Sequence, residues 1–290
     1  MPRTVDEGFR DFLTKLTPST TESDAAKMHR ASIEACLKTN FGLKRFSRIR
    51  SFGNGTSISG CSDVDYLACL PTDQLTEVST SSLRKVRDAL DTRFPNTGVR
   101  VSSPAVVVPF GSSRVETTEV VPADYLRESE GFKVYDIADS AGGWMNASPD
   151  AHNAYVRYVD GKLGGRVKPL IRFIKAWEYY RDVPISSFYL ELRVTKYASQ
   201  ESAIVYDIDV KRILSHLWDA QLPDMQDPMG VSGYIPACKS DALHKDALSK
   251  LCTAVVRAEK ALDAKHGGNI SEAFYWWRLL YNNEFPTYYY

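Results

Sequence analysis

The run Ser51-Phe52-Gly53-Asn54-Gly55-Thr56-Ser57-Ile58-Ser59-Gly60-Cys61-Ser62-Asp63-Val64-Asp65 constrains this chain more than any other. A glycine- and serine-rich loop runs straight into an Asp-x-Asp pair, which opens the apolar stretch Tyr66-Leu67-Ala68-Cys69-Leu70. Consecutive apolar positions predict a central strand covered on both faces. Side chains two apart on a strand point the same way, so Asp63 and Asp65 project together. Two close carboxylates resist joint ionisation, and a divalent cation between them removes the conflict. Hard oxygen ligands with open positions suit Mg²⁺, which keeps waters and substrate phosphates in its shell. Small residues ahead of the pair let backbone N–H groups approach an anion, and hydroxyls add donors. A phosphate cradle beside a metal-binding pair equips a chain for phosphoryl or nucleotidyl transfer, with one ion activating the attacking hydroxyl and a second neutralising the leaving group.

The flanking sequence predicts an α+β fold. Ser19-Thr20-Thr21 caps a helix that stops at Asn40-Phe41-Gly42. A strand is expected from Arg45 to Phe52, and a helix from Ser79 to Phe94 with Leu83, Val86 and Leu90 at helical spacing. Two strands, Val99 to Phe110 and Arg114 to Val121, are expected to join at Gly111-Ser112-Ser113. This order fits a mixed sheet with helices packed on it. From Pro149 onward helical periodicity dominates. The clearest helix is Leu163 to Arg181, with Leu163, Val167, Leu170, Ile171, Ile174 and Trp177 on one face. Others are expected near Ser186–Tyr197, Asp209–Trp218, Ser240–His266 and Ser271–Tyr281. The small residues of Ile137–Gly143 suggest a linker. The expected organisation is an α/β core with its N-terminal helix over residues 1–145, a helical lobe over 146–290, and a cleft between them.

Composition narrows the partners. With 36 basic and 36 acidic side chains the net charge is zero, which gives no support to a nucleic-acid-coating or membrane-surface protein. No apolar run reaches membrane-spanning length. Acids in Met1-Pro2-Arg3-Thr4-Val5-Asp6-Glu7 stand where a signal peptide needs an apolar core, so the expected location is the cytoplasm. The five cysteines form no CxxC pair and read as reduced thiols, and the five histidines have no HExxH-like spacing.

The motif Ser51-Phe52-x-x-x-Thr56…Ser62-Asp63-Val64-Asp65 resembles the signature of the polymerase-β-type nucleotidyltransferases. Within them it is most similar to the bacterial cGAS- and DncV-like CD-NTases of anti-phage systems. The resemblance runs over roughly residues 45 to 195. Glu119-Val120-Val121-Pro122-Ala123 looks like the third metal carboxylate followed by a Val-Pro-Ala turn, with Glu116 and Asp124 as nearby alternatives. Such a ligand can also take up the proton of the attacking hydroxyl. The metal and catalytic set implied is therefore Asp63, Asp65 and Glu119, holding two Mg²⁺ ions or Mn²⁺ in their place. The implied phosphate contacts are Ser51, Gly53, Asn54, Gly55, Thr56 and Ser62. Gly142-Gly143-Trp144 and Ser148-Pro149-x-Ala151-His152-Asn153 look like the crossing between lobes. Lys175-Ala176-Trp177 and Ile185-Ser186-Ser187-Phe188 resemble the helical-lobe contacts to phosphate and base.

Lys168, Arg172 and Lys175 fall at i, i+4 and i+7, which is either a solvated charged face or a clamp on the β- and γ-phosphates. The resemblance favours Lys175 for the clamp. Ser187 is expected to add a hydroxyl to the same phosphates. Phe188 reads either as a base-stacking ring or as a core phenylalanine, and His152 and Asn153 as readers of a second base or as plain loop residues. One departure stands out: the family carries Gly-Ser at the head of the loop, and this chain has Arg50-Ser51.

The resemblance implies synthesis of a cyclic di- or trinucleotide from ATP and GTP, a downstream effector that senses the product, and a regulatory protein partner. Without zinc-ribbon cysteines or histidines, activation by DNA is not supported. The rival readings are a nucleotidyltransferase that modifies tRNA or protein, for which a basic groove is needed, and a nucleotide-binding pseudoenzyme. The tail Phe285-Pro286-Thr287-Tyr288-Tyr289-Tyr290 reads equally as a partner-recognition segment or as packing.

Overall fold

A computed structural model describes residues 2–18, 20–60, 64–110, 116–139 and 141–289. Its first element is α1 (Val5–Leu16), opened by a capping box in which the Thr4 hydroxyl accepts the Glu7 N–H and the Glu7 carboxylate accepts the Thr4 N–H, both at 3.2 Å. The sequence reading starts the helices at Ser19 and passes over this one. Next comes α2 (Thr20–Phe41), which stops at Gly42 with φ 66. The expected strand from Arg45 to Phe52 is shorter: β1 (Arg45–Arg48) ends where the chain winds into the short helix α3 (Arg50–Asn54). After β2 (Val64–Cys69) and a single 3-10 turn at Thr72–Gln74 comes α4 (Ser79–Arg93). The expected strand Val99–Phe110 is a hairpin of β3 (Arg100–Ser102) and β4 (Ala105–Phe110), which turns at the cis peptide Ser103-Pro104.

The strand β5 (Glu116–Ser129) runs on through Val121-Pro122-Ala123, so the expected turn there is absent. Proline survives mid-sheet for a specific reason. The neighbouring Ala123 carbonyl accepts from Leu70 on the β2 side, so the missing Pro122 N–H falls on the opposite side. There the pairing with β4 ends at Val120 and the next partner, β6 (Phe132–Ala138), begins at Ala123. The expected linker Ile137–Gly143 is instead the end of β6 and its turn into β7 (Trp144–Ala147), tied by Asp139, whose Oδ1 accepts N–H groups of Ala141 at 2.8 Å and Gly143 at 2.7 Å. The remaining elements are α5 (Pro149–Lys162), α6 (Val167–Tyr180), α7 (Ser187–Ala198), α8 (Tyr206–Asp219), the hairpin β8 (Met225–Gln226) with β9 (Tyr234–Ile235), α9 (Asp241–His266) and α10 (Ile270–Leu280). The first of the expected lobe helices begins at Val167 rather than Leu163, because Gly164 and Gly165 take φ 61 and 78 and break the chain between α5 and α6.

Two compact units result, Pro18–Ala154 with Met229–Ser232, and Met1–Thr17 with Tyr155–Pro228 and Gly233–Tyr290. Their limits differ from the expected division at 145/146, and the first 17 residues pack with the helical unit rather than with the sheet. In the sheet unit the strand order is β1-β2-β5-β4-β3, with β6 between β5 and β7; β2 and β5 are parallel and the other pairs antiparallel. Strand alternation sorts the side chains. Val64, Tyr66, Ala68, Val106, Val108 and Val120 pack with Ile33 and Leu37 of α2 and Leu83, Val86 and Leu90 of α4. Leu67, Cys69, Val121, Ala123 and Tyr135 face the other way in a smaller cluster with Ile49. Asp65 and Glu119 share the parity of this second face.

In the helical unit, Phe9 and Phe12 of α1 are fully buried. Phe9 lies 5.0 Å from Phe173, 5.1 Å from Trp277 and 5.1 Å from Phe285, and Phe12 lies 4.7 Å from Tyr281. Phe285 of the tail is therefore core, and the Tyr289 N–H bonds the Pro2 carbonyl at 3.0 Å. Of the two readings of the tail, packing is the one these contacts support.

Candidate active site

Asp65 on β2 and Glu119 on β5 are direct register partners across the parallel pair. The Asp65 side chain is 8% exposed and that of Glu119 is 22% exposed. One Arg50 nitrogen, Nη1, donates to both, at 2.8 Å to Asp65 Oδ1 and 3.2 Å to Glu119 Oε2. Burial pushes the Asp65 carboxyl up to about 7; Arg50 opposes this and the neighbouring Glu119 charge adds to it. The pair is thus short of positive charge even with one guanidinium present. Asp124 is not an equivalent of Glu119, because it accepts the Thr72 hydroxyl at 2.9 Å further along β5. The Glu116 side chain, Ser62 and Asp63 lie outside the described residues. Among the described residues, no three His, Cys, Asp or Glu side chains gather as a metal site. Two register-matched carboxylates that lack full charge compensation nevertheless fit a hard divalent cation.

The loop ahead of the carboxylates is more ordered than its composition suggests. Ile49 is extended, its N–H bonds the Asp65 carbonyl at 2.9 Å, and α3 begins at Arg50 with φ 52. Gly55 closes α3 in the left-handed conformation at φ 69, with its N–H on the Ser51 carbonyl. Thr56 is fully buried and its N–H reaches the same carbonyl at 2.8 Å. Ser51 and Asn54 are buried too. Gly53 is small for a packing reason: a Cβ there would stand 3.0 Å from the Arg48 carbonyl oxygen and 3.2 Å from Asn153 Nδ2. Gly55 is the open position, where an added Cβ meets nothing within 4 Å. His152 and Asn153 lie on α5 and are buried, rather than on an exposed loop.

The other expected contacts belong to the helical unit. Lys175 of α6 is 5% exposed, so the basic stripe is not a solvated face. Burial lowers the Arg172 pKa against the opposing charge of Asp160, and Asp160 also accepts the N–H groups of Val167 and Lys168 at 3.0 Å each. One turn past Lys175 lies Glu178, which the sequence reading does not single out. Its one signal is the Lys175-x-x-Glu178 spacing. The Ser187 hydroxyl donates to Glu178 Oε2 at 2.8 Å, and Phe188 follows half-buried at the start of α7.

Burial pushes the Glu178 carboxyl up to about 7, opposed by the Ser187 hydrogen bond and by Lys175. A carboxyl whose folded value is raised binds its proton more tightly when folded, so stability falls as pH climbs from the ordinary carboxylate range through 7. Glu178→Gln keeps an acceptor for Ser187 and removes the titration. We expect thermal midpoints equal to the parent near pH 5 and higher than the parent at pH 8. A midpoint below the parent at pH 8 contradicts this.

The fold that holds these residues is the polymerase-β-like nucleotidyltransferase fold. The chain superposes on apo DncV of Vibrio cholerae with a TM-score of 0.74 at 15% identity, covering 98% of this chain and 96% of that one. It superposes on CdnC of E. coli MS115-1, solved with ATP, with a TM-score of 0.73 at 17% identity, covering 97% and 98%. Residues 3–159 match the Second Messenger Oligonucleotide or Dinucleotide Synthetase domain, and the chain belongs to that family of bacterial CD-NTases. It is 27% identical over 175 residues to a probable cyclic nucleotide synthase of Bacillus cereus (strain VD146), a match that spans 58% of this chain and about half, 51%, of that relative. It is 25% identical over 315 aligned positions to a cyclic AMP-AMP-AMP synthase of Acinetobacter sp., across 98% of this chain and 86% of that one. Among the described residues no helix is long and apolar enough to cross a membrane.

Proposed function

We propose that this chain is a metal-dependent nucleotidyltransferase of the cytoplasm that joins ATP and GTP into a cyclic di- or trinucleotide signal, with release of pyrophosphate, in anti-phage (CBASS) defence. The observation that carries this reading is the pairing of Asp65 with Glu119 at one register of two parallel strands, beside the loop closed by Gly55. Membership of the synthetase family supports it, as do the relatives named as cyclic nucleotide synthases.

In this reading Asp65 and Glu119, with Asp63, hold two Mg²⁺ ions, and Mn²⁺ is able to replace them. Bound there, the ions supply Lewis-acid activation of a ribose hydroxyl and charge for the departing pyrophosphate. Glu119, the more exposed carboxylate, takes the proton of the attacking hydroxyl. Ser51 and Gly55 are the loop residues assigned to phosphate in this reading, and Lys175 is the residue of the helical unit that the resemblance favours as a phosphate contact. Glu178 fixes the Ser187 hydroxyl, whose oxygen can still accept from the nucleotide, and Phe188 at the start of α7 is the ring assigned to base stacking, a contact worth roughly 1–3 kcal/mol. A protein effector senses the product. A regulatory protein partner is suggested by the solved complex of E. coli CdnC with a HORMA protein.

One observation favours a second reading. Arg50 already bridges the two carboxylates, as it would in a metal-independent nucleotide-binding pseudoenzyme. Incubation with labelled ATP and GTP, Mg²⁺ and no polymer separates the two. A phosphatase-resistant product that vanishes with EDTA and in Asp65→Asn supports the synthase. Nucleotide binding indifferent to EDTA, with no turnover, supports the pseudoenzyme, and a product that needs added RNA supports a polymer-modifying enzyme.

A further inference from the structure

We propose that Arg50 is a built-in counter-cation that caps the Asp65–Glu119 pair in the metal-free protein and that a divalent ion must displace. The inference rests on the metal-site reading above and deepens it. The two contacts come from a single nitrogen, at 2.8 and 3.2 Å, so the guanidinium sits between oxygens contributed by adjacent strands. An ion ligated by the same oxygens needs shorter bonds than a guanidinium makes, and the two cations exclude one another.

The backbone around Arg50 points the same way. Ile49 is pinned to β2 through its N–H on the Asp65 carbonyl, so the next residue starts beside the pair. Arg50 itself has φ 52, a region that L residues rarely adopt and glycine enters freely. The backbone here has the conformation of a glycine position while the residue carries a long cationic arm. What offsets the strain is the pairing of that arm with buried Asp65 and half-buried Glu119. Its side chain is 32% exposed, so it has a path to water when displaced.

A lone positive charge also suits a replaceable cap. It leaves two carboxylates under-compensated, and a doubly charged ion matches them better. The exchange therefore runs toward metal, but at a lower apparent affinity than an uncapped pair would show. The chain is expected to need more free divalent metal than a counterpart with glycine at this position.

The test is titration of the full-length chain with Mn²⁺ alone, reading free Mn²⁺ by electron paramagnetic resonance, for the parent, Arg50→Gly, Arg50→Gln and Asp65→Asn. The expected result is at least about fivefold tighter Mn²⁺ binding in both Arg50 variants, with a larger rise in melting temperature at saturating Mn²⁺ than the parent shows. Arg50→Gln keeps the arm without its charge and Arg50→Gly relaxes the backbone, so either one carries the test if the other misfolds. Equal or weaker Mn²⁺ binding in the Arg50 variants, with binding still lost in Asp65→Asn, overturns the cap and leaves the metal site standing. Mn²⁺ binding that is absent throughout, or unchanged in Asp65→Asn, overturns both.

Discussion

Asp65→Asn is expected to lower cyclic-nucleotide formation by at least about a hundredfold, the scale on which a single preorganised charge-stabilising group acts in a closed site, while making the metal-free protein more stable above pH 7. The two effects share one cause. Asp65 is buried beside Glu119, and burial first, with the neighbouring acid helping, pushes its carboxyl up to about 7 in spite of Arg50. A raised folded value means that the folded chain holds the proton more tightly than the unfolded chain does. Its stabilising contribution is complete below the ordinary aspartate value and is lost as pH rises through about 7. Asparagine fills the same space and never ionises, and Glu119 still holds Arg50. Urea midpoints measured without metal from pH 5 to pH 8 should therefore fall with pH for the parent more than for the variant. Saturating Mg²⁺ should restore the parent and leave the variant unmoved. A variant that is less stable than the parent at pH 8, or that retains full turnover, contradicts this account.

How much of this was readable beforehand depends on how local each signal is. The strand that follows Asp65 was legible because six consecutive positions, Val64 to Cys69, are buried and so must be apolar apart from the acid. The starts of α7 and α9 were legible because Ser186 and Ser240 cap them through their own hydroxyls. The capping box of α1 is equally local: Thr4-x-x-Glu7, followed by Phe9, Phe12 and Leu16 at helical spacing, is signal enough for a helix, although the acids of the same segment also answer the question of a leader peptide. β6 and β7 hid for a different reason. The turn from β5 into β6 is Glu130-Gly131, at φ 51 and 79, and a glutamate in that conformation gives little warning of a two-residue hairpin. Arg50 was beyond any local pattern. Its partners lie 15 and 69 residues away in sequence, and their meeting depends on the register between β2 and β5.

Phe9→Ala should be the most damaging single truncation of the helical unit, costing about 3–5 kcal/mol as for other buried phenylalanines. Phe9 is fully buried and touches four rings, Phe173, Tyr206, Trp277 and Phe285, which come from α6, α8, α10 and the tail. Removing it opens a cavity where four segments converge, and the aromatic neighbours are too stiff to collapse into it. Against a typical domain stability of roughly 5–15 kcal/mol the loss is about a fifth or more of the total. Phe9→Leu, which keeps most of the volume, should cost much less. Trp177 and Trp277 are buried in this unit, so tryptophan fluorescence during urea unfolding follows the change directly. The consequence reaches chemistry through α6. Phe173 and Trp177 are buried on the same helix that carries Lys175, which is itself buried about half a turn away around it. A chain in which α1 no longer braces α6 should hold Lys175 less well, so Phe9→Ala protein that is still folded at low temperature should show weakened nucleotide affinity along with its lowered midpoint. A Phe9→Ala midpoint within about 1 kcal/mol of the parent would mean that α1 is an ornament on this unit rather than part of its core.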